Sequence, residues 1–140
     1  MKKHKRIYTI SIILFFIIAS GVSAEEKMKA MDHAAHVGEK IHESIVHNYR
    51  FAYHLINLPN QDEHHLMTHV LDPEHSPVKE AKVGYLIIGP NNAKQKVMTM
   101  AMKGSFGGNV NFVEKGTYTV KIKALVDDKK LMDEFIFQVK

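Results

Sequence analysis

Beyond about residue 45 the chain alternates apolar and polar side chains, and this period of two is typical of half-buried β-strands. The clearest stretch is residues 118–126, where Val120, Ile122 and Ala124 alternate with threonine and lysine. The same alternation predicts strands over residues 45–59, 64–71, 81–87, 94–102, 110–112 and 135–139. Turn-forming residues separate these stretches. The pattern therefore predicts about seven short strands and no core helix.

Short strands of this kind bury their apolar faces most economically by stacking two sheets. We therefore expect an all-β domain over residues 45–140, with the fold of an immunoglobulin-like antiparallel β-sandwich. A small barrel is the alternative. The glycines at 104, 107 and 108 predict a loose bend and not a phosphate-binding loop, because no strand-to-helix context surrounds them.

The N-terminal 44 residues do not follow this pattern. Residues 1–24 combine a basic start, a short apolar run over Ile7–Ala19 and small residues before position 25, which predicts a cleaved signal peptide and a periplasmic or otherwise exported location. Retention of this segment as an anchor is the alternative. Residues 25–44 predict a flexible polar tail.

Removing the predicted leader changes the charge balance. The whole chain has 19 Lys and Arg against 15 Asp and Glu, and four of the basic residues lie in residues 1–24, so 15 of each sign remain. A neutral domain predicts no electrostatic footprint for nucleic acid or for an anionic membrane surface. We expect no nucleic-acid partner.

The chain is rich in nitrogen and sulfur donors, with ten histidines, eight methionines and no cysteine. On the predicted strand 64–71, His65, Met67 and His69 share one face and His64 lies on the other. Three methionines at alternate positions of the predicted strand 94–102 are expected to point one way. Imidazole and thioether donors together favour Cu(I). The candidate copper ligands are His64, His65, Met67, His69, Met98, Met100 and Met102.

A simpler interpretation competes with this one. Methionine fills irregular cores well, so the methionine strand is also consistent with the inward face of a sandwich. The inward face of the histidine strand would then be Leu66, Thr68 and Val70, which leaves His65 and His69 as solvated polar residues. The predicted tail adds a second hypothesis, in which it is a flexible arm that captures copper for the folded site. The alternative is a linker whose histidines and methionines have no function. The donors of the tail are Met28, Met31, His33 and His36.

Several features occur in an order that matches a known family. They are the predicted signal peptide, a strand that starts at residues 64–67, a Gly89-Pro90 turn, the residues Gly116-x-Tyr118-x-Val120 and a closing strand at 133–135. From about Ile45 to Lys140 this order resembles the small exported proteins of the YtkA-like type. The resemblance implies an immunoglobulin-like sandwich, a fold that in this family is often discussed together with periplasmic copper-handling domains. It transfers no ligand residue.

These observations lead to one main hypothesis and two alternatives. The main hypothesis is a monomeric, exported carrier or buffer of copper that uses His65, Met67 and Met100 and serves a membrane or envelope copper-handling protein. We expect no enzyme, because no catalytic motif is present. The first alternative is a non-metal envelope interaction module, an accessory domain that binds another protein through a sheet edge. The second is a sensor of envelope pH. A carrier predicts donors clustered on one accessible rim, whereas a module predicts methionines buried apart from the histidines.

Overall fold

Nine β-strands form the part of the chain that the computed structural model describes, residues 38–59 and 62–140. The predicted leader, and the predicted tail up to residue 37 with its four donors, lie outside these residues. The strands are β1 (Glu39–Val46), β2 (Tyr49–Asn57), β3 (Glu63–Leu71), β4 (Lys82–Ile88), β5 (Lys94–Met98), β6 (Met100–Met102), β7 (Ser105–Asn111), β8 (Gly116–Val126) and β9 (Lys129–Val139). Within the described ranges, no helix has the length and apolar character needed to cross a bilayer.

The strands pair into two antiparallel sheets. The five-stranded sheet has the order β1-β2-β3-β7-β6, and the four-stranded sheet has the order β5-β4-β8-β9. Their apolar faces pack against each other, so the predicted antiparallel β-sandwich is confirmed, with nine strands instead of about seven. The two sheets remain separate, and the barrel alternative is therefore wrong.

The core lies between the sheets and follows the predicted alternation. Leu66, Thr68 and Val70 of β3 face inward, and so do the alternate apolar residues of β2, β4, β8 and β9. The hydroxyl of Tyr85 crosses from the four-stranded sheet to the five-stranded one. It lies 2.7 Å from the Thr68 hydroxyl and donates to the carbonyl of Phe106 at 3.1 Å. Burial raises the pKa of Tyr85, which keeps this link uncharged.

The first predicted strand, residues 45–59, is wrong, because the chain reverses within it. His47 and Asn48 form a two-residue turn with φ angles of 49° and 67°, and β1 and β2 pair on either side of it. Two successive left-handed residues match the twist of a tight hairpin. The added strand, β1, begins at Glu39, so the sandwich includes residues 39–44 of the predicted tail.

The predicted methionine strand is also wrong as a single strand. It breaks at Thr99, where the chain leaves the four-stranded sheet and enters the five-stranded one. The backbone N–H and the hydroxyl of Thr99 both donate to the carbonyl of Val83, at 3.0 and 2.8 Å. Met98 therefore belongs to one sheet, and Met100 and Met102 belong to the other.

The predicted glycine-rich bend is a strand over most of its length. Only Gly104, with a φ of 87°, lies in the turn, and Ser105–Asn111 forms β7 between β3 and β6. Gly108 faces the core, where a Cβ atom would lie 2.6 Å from Cγ1 of Val97. Gly107 faces outward. The two glycines thus open space on opposite faces of one strand.

Candidate metal site

Five of the seven predicted ligands lie on the outer face of the five-stranded sheet. They are His65, Met67, His69, Met100 and Met102. They share this face because they occupy outward positions of β3 and of β6, and only β7 separates these two strands. The sandwich therefore brings nitrogen and sulfur donors from distant parts of the chain onto one surface.

One cross-strand row contains the centre of this cluster. Met67 pairs with Gly107, and Gly107 pairs with Met100, so two methionines flank a residue without a side chain. A Cβ atom on Gly107 would lie 2.3 Å from Nε2 of His65 and 2.5 Å from Sδ of Met67. The imidazole nitrogen and the thioether sulfur thus converge over the space that glycine leaves open.

The orientation of His65 is set by a neighbouring amide. Its Nδ1 donates a hydrogen bond to Oδ1 of Asn109, its cross-strand partner, at 2.7 Å. Since an amide oxygen only accepts, Nδ1 carries a proton, and in the neutral ring this tautomer places the lone pair on Nε2. Nε2 is buried and has no hydrogen-bond partner among the described residues. This is the protonation state that a metal-binding imidazole requires.

The second row holds His69, which pairs with Ser105, and Ser105 in turn pairs with Met102. Nε2 of His69 is also buried without a hydrogen-bond partner among the described residues. Its ring meets the ring of His54 edge-on, with the centroids 5.0 Å apart. Burial, and then the nearby charge of His54, lowers the pKa of His69 below its usual value. The neutral, ligating form is therefore favoured.

His54 is a site neighbour that the sequence did not predict. It lies on β2 directly opposite Met67. Its outward position follows from the alternation along β2, in which Phe51 and Tyr53 face inward. In the sequence, His54 can only be placed on the same face of its strand as Ala52 and Ile56. That face does not show which strand lies beside it, so the contact with Met67 could not be predicted.

Two predicted ligands lie away from this cluster. His64 occupies the opposite face of β3, with its ring centroid 5.8 Å from that of Phe112. Met98 lies on the outer face of the four-stranded sheet, where it pairs with Gly84. The expectation that Met98, Met100 and Met102 point one way is therefore wrong, because the strand break at Thr99 sends them to opposite sides of the sandwich.

The exposure of the methionines decides between two of the interpretations. Met100 is 74% exposed and Met102 is 45% exposed, and Met98 is also exposed. The hypothesis that these methionines fill the core is wrong. The inward face of Leu66, Thr68 and Val70 is as predicted, but His65 and His69 are half-buried and not freely solvated. Methionines buried apart from the histidines, as an interaction module predicts, are not found in the described part of the chain.

No group of three His, Cys, Asp or Glu side chains arranged to hold a metal ion occurs in residues 38–59 and 62–140. The cluster on the outer face is instead a mixed set of imidazoles and thioethers. Comparison with models of protein families gave no match for this chain, and comparison with curated proteins gave none either. The resemblance to the YtkA-like proteins therefore remains a prediction from the sequence.

Proposed function

We propose that this chain is an exported copper-binding protein that carries or buffers Cu(I). The proposed ligands are His65, Met67 and Met100, with His69 and Met102 beside them on the same face. The observation that carries the proposal is the convergence of Nε2 of His65 and Sδ of Met67 over Gly107. A membrane or envelope copper-handling protein is the proposed recipient.

The distances favour a shared ion. Two atoms that lie 2.3 and 2.5 Å from one point are at most about 5 Å apart. An ion with a nitrogen bond of about 2.0 Å and a sulfur bond of about 2.3 Å joins donors that are about 4 Å apart. The ion would lie farther from the backbone than the Cβ position of Gly107, toward Met100 in the same row. Small side-chain rotations of His65 and Met67 are enough to complete this arrangement.

The donor chemistry favours Cu(I) over other ions. Thioether is a weak ligand that soft ions accept, whereas zinc prefers thiolate, imidazole or carboxylate and calcium prefers oxygen. An open sheet face with exposed Met100 leaves the ion accessible to another protein. Accessible, weak donors suit reversible loading, so a carrier or buffer is proposed here and a structural or catalytic metal is not.

A competition titration of the purified protein against a Cu(I) chelator tests the proposal. We expect one Cu(I) ion bound, with sulfur in its coordination shell by X-ray absorption. The double variant Met100→Leu/Met102→Leu should bind at least about tenfold more weakly. Its matched control is Met98→Leu/Met132→Leu, which removes two exposed thioethers from the other sheet and should bind normally.

Two results would contradict the proposal. One is an unchanged Cu(I) affinity in the Met100/Met102 variant. The other is an equal loss of affinity in both double variants, since this would show non-specific binding to exposed thioethers. Circular dichroism of each variant establishes that the sandwich is intact.

A further inference from the structure

The outer face of the four-stranded sheet, opposite to the donor cluster, is strongly basic. Its outward positions hold six lysines and one carboxylate, Glu134. The lysines are Lys82, Lys94, Lys96, Lys121, Lys123 and Lys130. Glu134 pairs with Lys121 at 3.3 Å, and the other five lysines are exposed and form no ion pair with a described residue. We refer to this surface as the lysine face.

Sheet pairing, and not local sequence, concentrates this charge. One row runs from Lys96 through Leu86 and Lys121 to Glu134, and the lysines of the other rows come from all four strands. The balanced charge of the chain without its predicted leader conceals the face, because the acidic residues lie elsewhere. The total charge is balanced as calculated from the sequence, but this surface is a basic patch that the balanced total did not predict.

Exposed apolar side chains are interspersed among the lysines. Met98 and Met132 lie at the two ends of the row that contains Gly84 and Lys123, and Ile136 lies four residues beyond Met132 on β9. Met98 and Met132 line one shallow groove over Gly84 with lysines along its sides, and Ile136 stands apart from it. Charged residues, lysine included, are depleted from the cores of protein–protein interfaces. Long cationic side chains around a few exposed apolar ones are instead suited to the headgroup region of a lipid bilayer.

We propose that the lysine face docks this domain on an anionic phospholipid surface. The ammonium groups would bind lipid phosphates, and Met98, Met132 and Ile136 would enter the interfacial layer. The lysine face and the donor cluster lie on opposite sides of the sandwich, so a docked domain presents His65 and Met100 away from the bilayer. The proposal does not depend on copper binding, which is measured without lipid.

Lysine acetylation in the presence of vesicles, mapped by mass spectrometry on the full chain, tests this docking. With vesicles that contain phosphatidylglycerol, we expect at least about threefold slower acetylation of the five unpaired lysines of the face. Lys103 and Lys115, exposed at turns outside the face, are internal controls that should react at their normal rates. Phosphatidylcholine vesicles or high salt should abolish the protection.

A charge variant makes the test more specific. Lys96→Gln/Lys123→Gln should restore fast acetylation of Lys82 and Lys94, while Lys103→Gln/Lys115→Gln should not. Equal labelling with and without anionic vesicles would overturn the proposal. Equal protection of face and control lysines would also overturn it, because this indicates tethering through the N-terminal segment alone. Protection by soluble polyglutamate but not by vesicles would assign the face to an acidic protein instead.

Discussion

Gly107 offers the sharpest test of how the donor cluster is built. Replacing it by alanine puts a methyl group where the ends of two side chains now lie, 2.3 Å from Nε2 of His65 and 2.5 Å from Sδ of Met67. The three atoms nearest to this methyl group all belong to the side chains of His65 and Met67 and none to the backbone, so rotation of these side chains can make room for it. The strand itself should keep its structure, because φ of Gly107 is not in the left-handed region.

The two expected effects of this substitution separate stability from binding. Alanine reduces the conformational freedom of the unfolded chain, so the free energy of unfolding should stay within about 1 kcal/mol of the original value. The Cu(I) affinity should fall by about tenfold or more, since His65 and Met67 can no longer converge. The fold is therefore retained while the proposed site is lost.

Gly108→Ala is the matched control, one residue away on the other face of β7. Its Cβ atom would lie 2.6 Å from Cγ1 of Val97, on the core side of the strand, where the neighbours are packed. Overpacking of this kind destabilises by about 1–3 kcal/mol. The Cu(I) affinity of the folded variant should be unchanged, because its outer face is intact.

Urea denaturation and Cu(I) competition titration of the two variants are the assays. The reasoning predicts opposite outcomes, with Gly107→Ala stable and weak in binding and Gly108→Ala unstable and normal in binding. Copper binding by Gly107→Ala at the original affinity would refute the idea that the donors meet over this glycine. A large loss of stability in Gly107→Ala would show that His65 and Met67 cannot move aside.

Three other expectations concern Tyr85, His69 and Asn109. Tyr85→Phe removes the hydroxyl that links the two sheets and leaves Thr68 without its partner, so urea denaturation should show a loss of about 1–3 kcal/mol. Burial lowers the pKa of His69 in the folded chain, so below about pH 6.5 the protein takes up a proton when it unfolds. The free energy of unfolding should therefore decrease as the pH falls below that value. The urea midpoint of His69→Gln should decrease less over the same pH range. Parallel pH profiles of the two proteins would contradict this. Asn109→Leu should weaken Cu(I) binding about tenfold in chelator competition, whereas Asn109→Asp, which still accepts the proton of His65, should not.

The sequence predicted which residues face the core better than it predicted where the strands end. Alternation put Leu66, Thr68 and Val70 on one face of a strand, and the simpler interpretation, in which this face is inward, is correct for them because burial of one sheet face imposes a period of two. The hairpin at His47–Asn48 reverses the alternation, because Val46 pairs with Tyr49 and Ile45 is exposed, but the apolar residues on both sides of it concealed this change. Glycine, the usual mark of two left-handed residues, is absent there.

The donor cluster depended on information that strand periodicity does not contain. Alternation shows which residues of one strand share a face, so it grouped His65 with Met67 correctly. It failed for Met98, because Thr99 carries the chain between sheets without a glycine or proline to mark the change. The opposition of Met67 to Met100 across Gly107 depends on long-range pairing, and no local pattern encodes that pairing.

The passage of the chain between sheets at Thr99 also bears on how the domain folds. Consecutive strands β5 and β6 are edge strands of different sheets, so the crossing at Thr99 links one edge of each sheet to the other. The pairings of β3 with β7 and of β4 with β8 join residues that are far apart in the chain. Such pairing must overcome a loop entropy before it is compensated, which slows folding to about milliseconds or seconds. Assembly of this sandwich is therefore expected to be a slow, concerted event in which both layers appear together.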